Sequence, residues 1–243
     1  MFPRTAAAGR LCRRRAGIVA ALTGTARPRG VMKQTPDLPP GTSSGAPPET
    51  AEALGCRISA CSLCAARFAV TASAHQPRPV VWFRSSARLL IVGQAPGMRV
   101  HLAGEPFRDA SGDRLRAWMG VSDAEFYDLD RVAIVPMAFC FPGYNAAGSD
   151  LPPPAICAAT WRAQVMAVLP RVALTLLVGG AAQGWHLGRG KVSQRVADWQ
   201  HHAPAVFPLP HPSWRNTGWL RRNPWFDRDV IPALQAQVRA TLG

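Results

Sequence analysis

Three observations predict an α/β protein of three layers, with helices on both faces of a four-stranded parallel central sheet. Short apolar runs without polar alternation recur along the chain, the pattern of strands buried on both faces. Helix-length segments separate these runs, and parallel strands need such crossovers. Each run ends in a loop built from Gly, Pro and polar residues, and open parallel sheets bind ligands at those carboxyl ends.

The first strand is placed at Leu89–Val92, running into Gly93-Gln94-Ala95-Pro96-Gly97. Two glycines allow a sharp turn and a close approach to a ligand, Pro96 stiffens the loop, and Gln94 is presented just past the strand. Upstream, a helical segment over 51–68 carries Cys56, Cys61 and Cys64. Downstream, 104–109 is a loop. Ser111 is expected to cap a helix whose apolar face includes Leu115, Trp118 and Met119. A helical turn at 123–127 precedes a second strand over 132–137 and the loop 139–145. A helix over 154–169 tolerates prolines in its first turn. The third strand, 172–178, ends in Gly179-Gly180 and leads into a helix over 181–187. Residues 193–201 read helical. The fourth strand, 206–209, ends in Pro210-His211-Pro212-Ser213-Trp214-Arg215-Asn216. Asp227 is expected to cap a final helix reaching about Leu242.

The 243 residues suit one sizeable domain over 51–243, preceded by a basic, Pro-rich tail and linker over 1–50. In the tail, Arg13-Arg14-Arg15 precedes the short apolar run Ala16–Leu22. Two readings fit: a targeting peptide, or an over-extended start with Met32 as the first residue. A net charge of +14 and a pI near 11.2 favour a polyanionic partner, nucleic acid more than membrane. No apolar run is long enough to span a bilayer. The pair Cys61-x-x-Cys64 points to a metal or redox site in a reducing compartment such as the cytoplasm. Neither a Gly-x-Gly-x-x-Gly fingerprint nor a phosphate loop ending in Gly-Lys-Ser/Thr occurs, which disfavours dinucleotide and nucleoside-triphosphate enzymes. A monomer is expected.

Taken together, three segments resemble the uracil-DNA glycosylase superfamily, especially its iron–sulfur branch. They are Gly93-Gln94-Ala95-Pro96-Gly97, Gly104-x-Pro106-Phe107 and His211-Pro212-Ser213. The resemblance covers roughly residues 56–242. It implies a base pocket formed by Gly93, Gln94, Ala95, Pro96, Phe107 and His211. Phe107 would stack on a base extruded from DNA, replacing lost stacking by about 1–3 kcal/mol. His211 would donate to the base carbonyl as negative charge develops on it. The resemblance also implies a 4Fe–4S cluster on Cys61, Cys64, Cys140 and Cys157, the last two with 16 residues between them. Zinc would accept the same thiolates, buried cysteines without metal are the plainer alternative, and Cys56 is a spare for Cys61.

Two positions depart from the family pattern. Gln94 stands where the family has Glu and cannot act as a general base, and Pro136 falls where an Asn often reads the pyrimidine edge. Asp109, Asp113 and His101 are the remaining polar groups expected near the pocket. In the C-terminal block, Ser213, Arg215, Asn216, Arg221 and Arg222 mix with aromatics, a composition suited to DNA phosphates. The leading function is a DNA glycosylase acting on uracil or a related deaminated base. Two alternatives stay open: a DNA- or damaged-base-binding protein that lacks the chemistry, and an iron–sulfur redox or RNA-processing protein.

Overall fold

Strands Leu89–Val92 (β1), Val132–Ile134 (β2), Leu174–Val178 (β3) and Val206–Leu209 (β4) form one all-parallel sheet in the order β2-β1-β3-β4. The computed structural model describes residues 49–243, and Glu49–Gly243 make one compact unit. The expectations for the tail, the linker and a start at Met32 lie outside these residues.

The strands are apolar throughout because each has two buried faces. Leu89, Ile91, Ile134, Leu176 and Phe207 point into one core. Helices Ala110–Met119 (α4), Val192–Ala197 (α8) and Ile231–Leu242 (α10) close it through Leu115, Val196 and Leu234. Leu90, Val92, Ala133 and Leu177 point the other way. There Ala51–Ser59 (α1), Ala155–Ala167 (α6) and Gly180–Leu187 (α7) contribute Leu54, Trp161 and Ala182. Two-residue alternation along the strands thus distributes side chains between two cores, giving three layers. Pro208 is accommodated because β4 is an edge strand of the sheet, paired to β3 on one side.

Several boundaries differ from expectation for identifiable reasons. The segment 51–68 is not one helix: α1 ends at Ser59, and a turn over 60–64 carries Cys61 and Cys64 into Ala65–Ala69 (α2). Ser111 does not cap α4. Asp109, in extended backbone, accepts from the Gly112 N–H at 3.0 Å and starts the helix at Ala110, two residues earlier than a Ser111 cap would. β2 ends at Ile134, shorter than expected, although Val135 N–H still donates to Ile91 O and Met137 N–H to Gly93 O, so that Pro136 falls where no donor toward β1 is needed. Asp227 is not a cap either: it lies within a π-helical turn over Phe226–Val230, from which α10 continues. Thr217–Arg222 (α9) makes part of the C-terminal block helical where a loop was expected, and Met98–Ala103 (α3) is a helix in a stretch assigned no element from the sequence. The expected turn at 123–127 forms as Asp123–Phe126 (α5), closed by a Ser122–Glu125 capping box.

Candidate active site

A cavity of about 660 Å³ opens at the carboxyl ends of the strands, a size ordinary for small-molecule sites. The β1 loop Gly93–Gly97 forms one wall. Ile134 and Pro136 from the end of β2 form another, and His211, Ser213, Arg215 and Asn216 after β4 complete it. Gln94, Phe107, Asp109 and Asp150 all line this space. Residues from five separate segments therefore converge here.

Phe107 is held in a backbone conformation that side chains avoid, with φ +55°. Its surroundings fix it there. Its carbonyl accepts from the Tyr127 hydroxyl at 3.2 Å and from Arg116 Nη1 at 3.4 Å. The same Tyr127 hydroxyl lies 3.1 Å from the Pro106 carbonyl oxygen, and Arg116 ion-pairs with Asp113 and Asp123 at 2.5 and 2.7 Å. Gly112 is required beneath it, because a Cβ there would collide with the Phe107 carbonyl. On the other side the ring rests over Gly93, where an added Cβ would sit 3.5 Å away in ordinary contact. The aromatic face is thus braced from its own backbone, the requirement for a stacking platform. Asp113 is exposed and belongs to this brace; it does not line the cavity.

His211 is fixed by its loop. The Ser213 N–H donates to His211 Nδ1 at 3.2 Å, so the neutral ring carries its proton on Nε2. Asn216 Nδ2 donates to the His211 carbonyl at 2.7 Å, and Gly179, at φ +83°, leaves room for the ring. Burial lowers the His211 pKa, with Asp109 and Asp150 opposing that shift. The result is a neutral imidazole with one N–H to give, suited to a developing oxyanion.

His101 is not part of the cavity wall. It is buried edge-on against His75, with centroids 5.2 Å apart, and close to Phe141. Burial, His75 and Arg78 lower its pKa. Its apolar neighbours draw it inward from α3, a helix that the sequence did not signal. Arg221 and Arg222 lie exposed on the last turn of α9 and do not line the cavity, whereas Arg215 does, its guanidinium 5.9 Å from the Trp214 ring centroid. Asp150 at the cavity rim went unnoticed in the sequence. No motif flags it, and only the fold brings residue 150 opposite residue 211. The Arg116–Tyr127 brace was equally hidden, because it acts through a main-chain carbonyl.

Cys61, Cys64, Cys140 and Cys157 line one small apolar pocket; Cys56 does not. All four are free thiols. Burial, with smaller contributions from the neighbouring sulfurs, pushes Cys140 up to about 12 and Cys157 up to about 11. The Phe139 N–H donates to Cys157 Sγ at 3.4 Å, and the Arg78 backbone donates to Cys140. Among the described residues, no three His, Cys, Asp or Glu side chains converge as ligands of a single metal ion.

Fold and cavity together place an aromatic ring, a histidine and two carboxylates at the carboxyl edge of a parallel α/β sheet. The family model for the uracil DNA glycosylase superfamily matches residues 81–235, and the chain belongs to that superfamily. The match spans β1 to α10 and includes every cavity-lining residue named above. Membership implies glycosylase-type chemistry on DNA. Among the described residues, no helix is long and apolar enough to cross a membrane.

Proposed function

We propose that this protein is a DNA N-glycosylase that extrudes uracil or a related deaminated base and hydrolyses its glycosidic bond. The observation that carries the reading is the convergence of the braced Phe107 and the neutral His211 on one cavity. A base within a duplex is stacked and unreachable, so a pocket at the sheet edge needs both an aromatic face and a donor for the leaving group. Gln94 offers an amide acceptor and donor to the base edge, while Pro136 brings no side-chain donor. Recognition by the side chains would then come from the β1 loop and His211. DNA is the partner, with Arg215, Arg221 and Arg222 supplying phosphate contacts and Ser213 and Asn216 shaping the loop that enters beside the extruded base. The test is excision from single- and double-stranded oligonucleotides carrying uracil, hypoxanthine or xanthine. Release of a free base with an abasic strand is expected. Tight DNA binding without release of any base would favour the binding-protein reading, with Gln94 and Pro136 as the reason.

The same reading assigns a 4Fe–4S cluster to Cys61, Cys64, Cys140 and Cys157. Four sulfurs around one pocket, with backbone N–H groups aimed at two of them, fit a thiolate-bound cube. When bound, the cluster ties the 60–64 turn to the loop after β2 and to α6, holding one end of the site. Anaerobically purified protein is expected to contain about four irons with broad visible absorbance, both lost in Cys140→Ser and Cys157→Ser. One equivalent of zinc without iron would contradict the assignment.

A further inference from the structure

The cavity contains a carboxylate that neither the motifs nor the family match assigns. Asp150 closes the loop that follows Cys140, where it forms an isolated antiparallel bridge with Tyr144. The loop is braced internally. The Asn145 side-chain oxygen accepts from Ala147 and Ser149 N–H at 3.0 and 2.9 Å, and Leu151 N–H donates to Gly143 O at 2.8 Å. Asp150 is thereby carried to the solvent-reached rim of the cavity, facing His211 and Arg215. Among the described residues, its carboxylate is committed to no hydrogen bond or ion pair. Asp109, the other lining acid, has Oδ1 engaged with the Gly112 N–H as the cap of α4. Gln94 has no basic carboxylate to offer.

We propose that Asp150 is the catalytic residue that receives the proton of the attacking water and stabilises positive charge on the sugar. The inference rests on the glycosylase reading. The C1′–N bond breaks and its electron pair leaves with the base, whose carbonyl oxygen meets the His211 Nε2–H. The water oxygen bonds to C1′, and its proton passes to the Asp150 carboxylate and then to solvent. The departed base anion takes a proton from solvent, so one water is consumed and a free base and an abasic sugar result. The braced loop explains how the chain supplies a carboxylate although its β1 loop has Gln94. Partial burial raises the Asp150 pKa, the direction that makes it a better proton acceptor, with Arg215 and then His211 opposing that shift.

The experiment pairs two readouts on wild type, Asp150→Asn, Asp150→Glu and Asp109→Asn. The first is single-turnover excision of uracil from a single strand. Asp150→Asn is expected to be slower by about 10²–10⁴-fold, the usual contribution of a positioned base, with Asp150→Glu recovering part of the loss. The second is affinity for a strand carrying a cationic pyrrolidine abasic analogue against one carrying neutral tetrahydrofuran. Wild type is expected to prefer the cation by at least tenfold, and Asp150→Asn to lose that preference while binding the neutral analogue unchanged. Unchanged excision in Asp150→Asn, or loss that follows Asp109→Asn instead, overturns the proposal. So does a cation preference that survives Asp150→Asn or is absent from wild type. A wild type that excises nothing yet shows an Asp150-dependent cation preference would defeat the glycosylase reading and leave the carboxylate's electrostatic role standing.

Discussion

His211 shows how much chemistry a single backbone hydrogen bond can set. With Nδ1 occupied by the Ser213 N–H, the ring has its donor on Nε2, and burial keeps it neutral near physiological pH. His211→Ala removes that donor. Excision is expected to slow by about 10²–10³-fold, as for loss of one oxyanion donor. Phe107 is a second residue-scale case. Gly112→Ala would drive a methyl into the Phe107 carbonyl and displace the ring, and Tyr127→Phe would remove one of the bonds holding that carbonyl. Tyr127→Phe should weaken base extrusion, read as reduced 2-aminopurine fluorescence beside the target base, with melting temperature lowered by only a few degrees, since one hydrogen bond is worth about 1 kcal/mol. Unchanged fluorescence would remove the brace from the account. Gln94 and His211 were legible in the sequence because each lies inside a Gly- or Pro-framed loop after a strand, and Phe107 because it sits in Gly104-x-Pro106-Phe107. Asp150 and Tyr127 were not, since an acid in a polar loop and a tyrosine after a helical turn look alike wherever the fold places them.

At the scale of elements, β1 and β4 matched the sequence reading residue for residue, because a short apolar run stopped by Gly93 in one case and Pro210 in the other leaves little freedom. Ends set by side-chain reach were harder: Asp109 outcompeted Ser111 as a cap, and β2 stops at Ile134. α6 and α7 are tied to β2 by a buried pair. Arg162 Nη1 donates to the Val135 carbonyl at 2.9 Å, and its Nη2 lies 2.7 Å from His186 Nε2. Burial, and then Arg162, lower His186 from 6.5 to about 4. The unfolded chain therefore takes up a proton first as pH falls. Stability from this site is fully present above about pH 6.5 and is lost as pH drops toward about 4. His186→Gln can still accept from Arg162 but does not titrate. Its melting temperature should fall less steeply than wild type between those limits, and parallel curves would show that His186 does not govern acid sensitivity.

For the whole molecule, the positive charge and the placement of the cavity belong to one design. The chain has a net charge of +14, and Arg215 borders the cavity while Arg221 and Arg222 stand exposed on α9 nearby in sequence. Arg221→Ala/Arg222→Ala should weaken DNA binding across sequences. Each lost phosphate contact should lower the log–log salt slope by about 0.9 on duplex or 0.7 on a single strand. An unchanged slope would place the phosphate contacts elsewhere. The three-layer fold was legible from strand–helix alternation alone, whereas the convergence of residues 94, 107, 150 and 211 depends on crossovers that periodicity does not specify. The central claim is that this convergence performs glycosidic hydrolysis. Its most direct test is single-turnover release of free uracil from a single strand by wild type and His211→Ala side by side. The account predicts base release by wild type and a loss of about 10²–10³-fold in the variant. Equal rates, or no base released by wild type while the strand is bound, would contradict it.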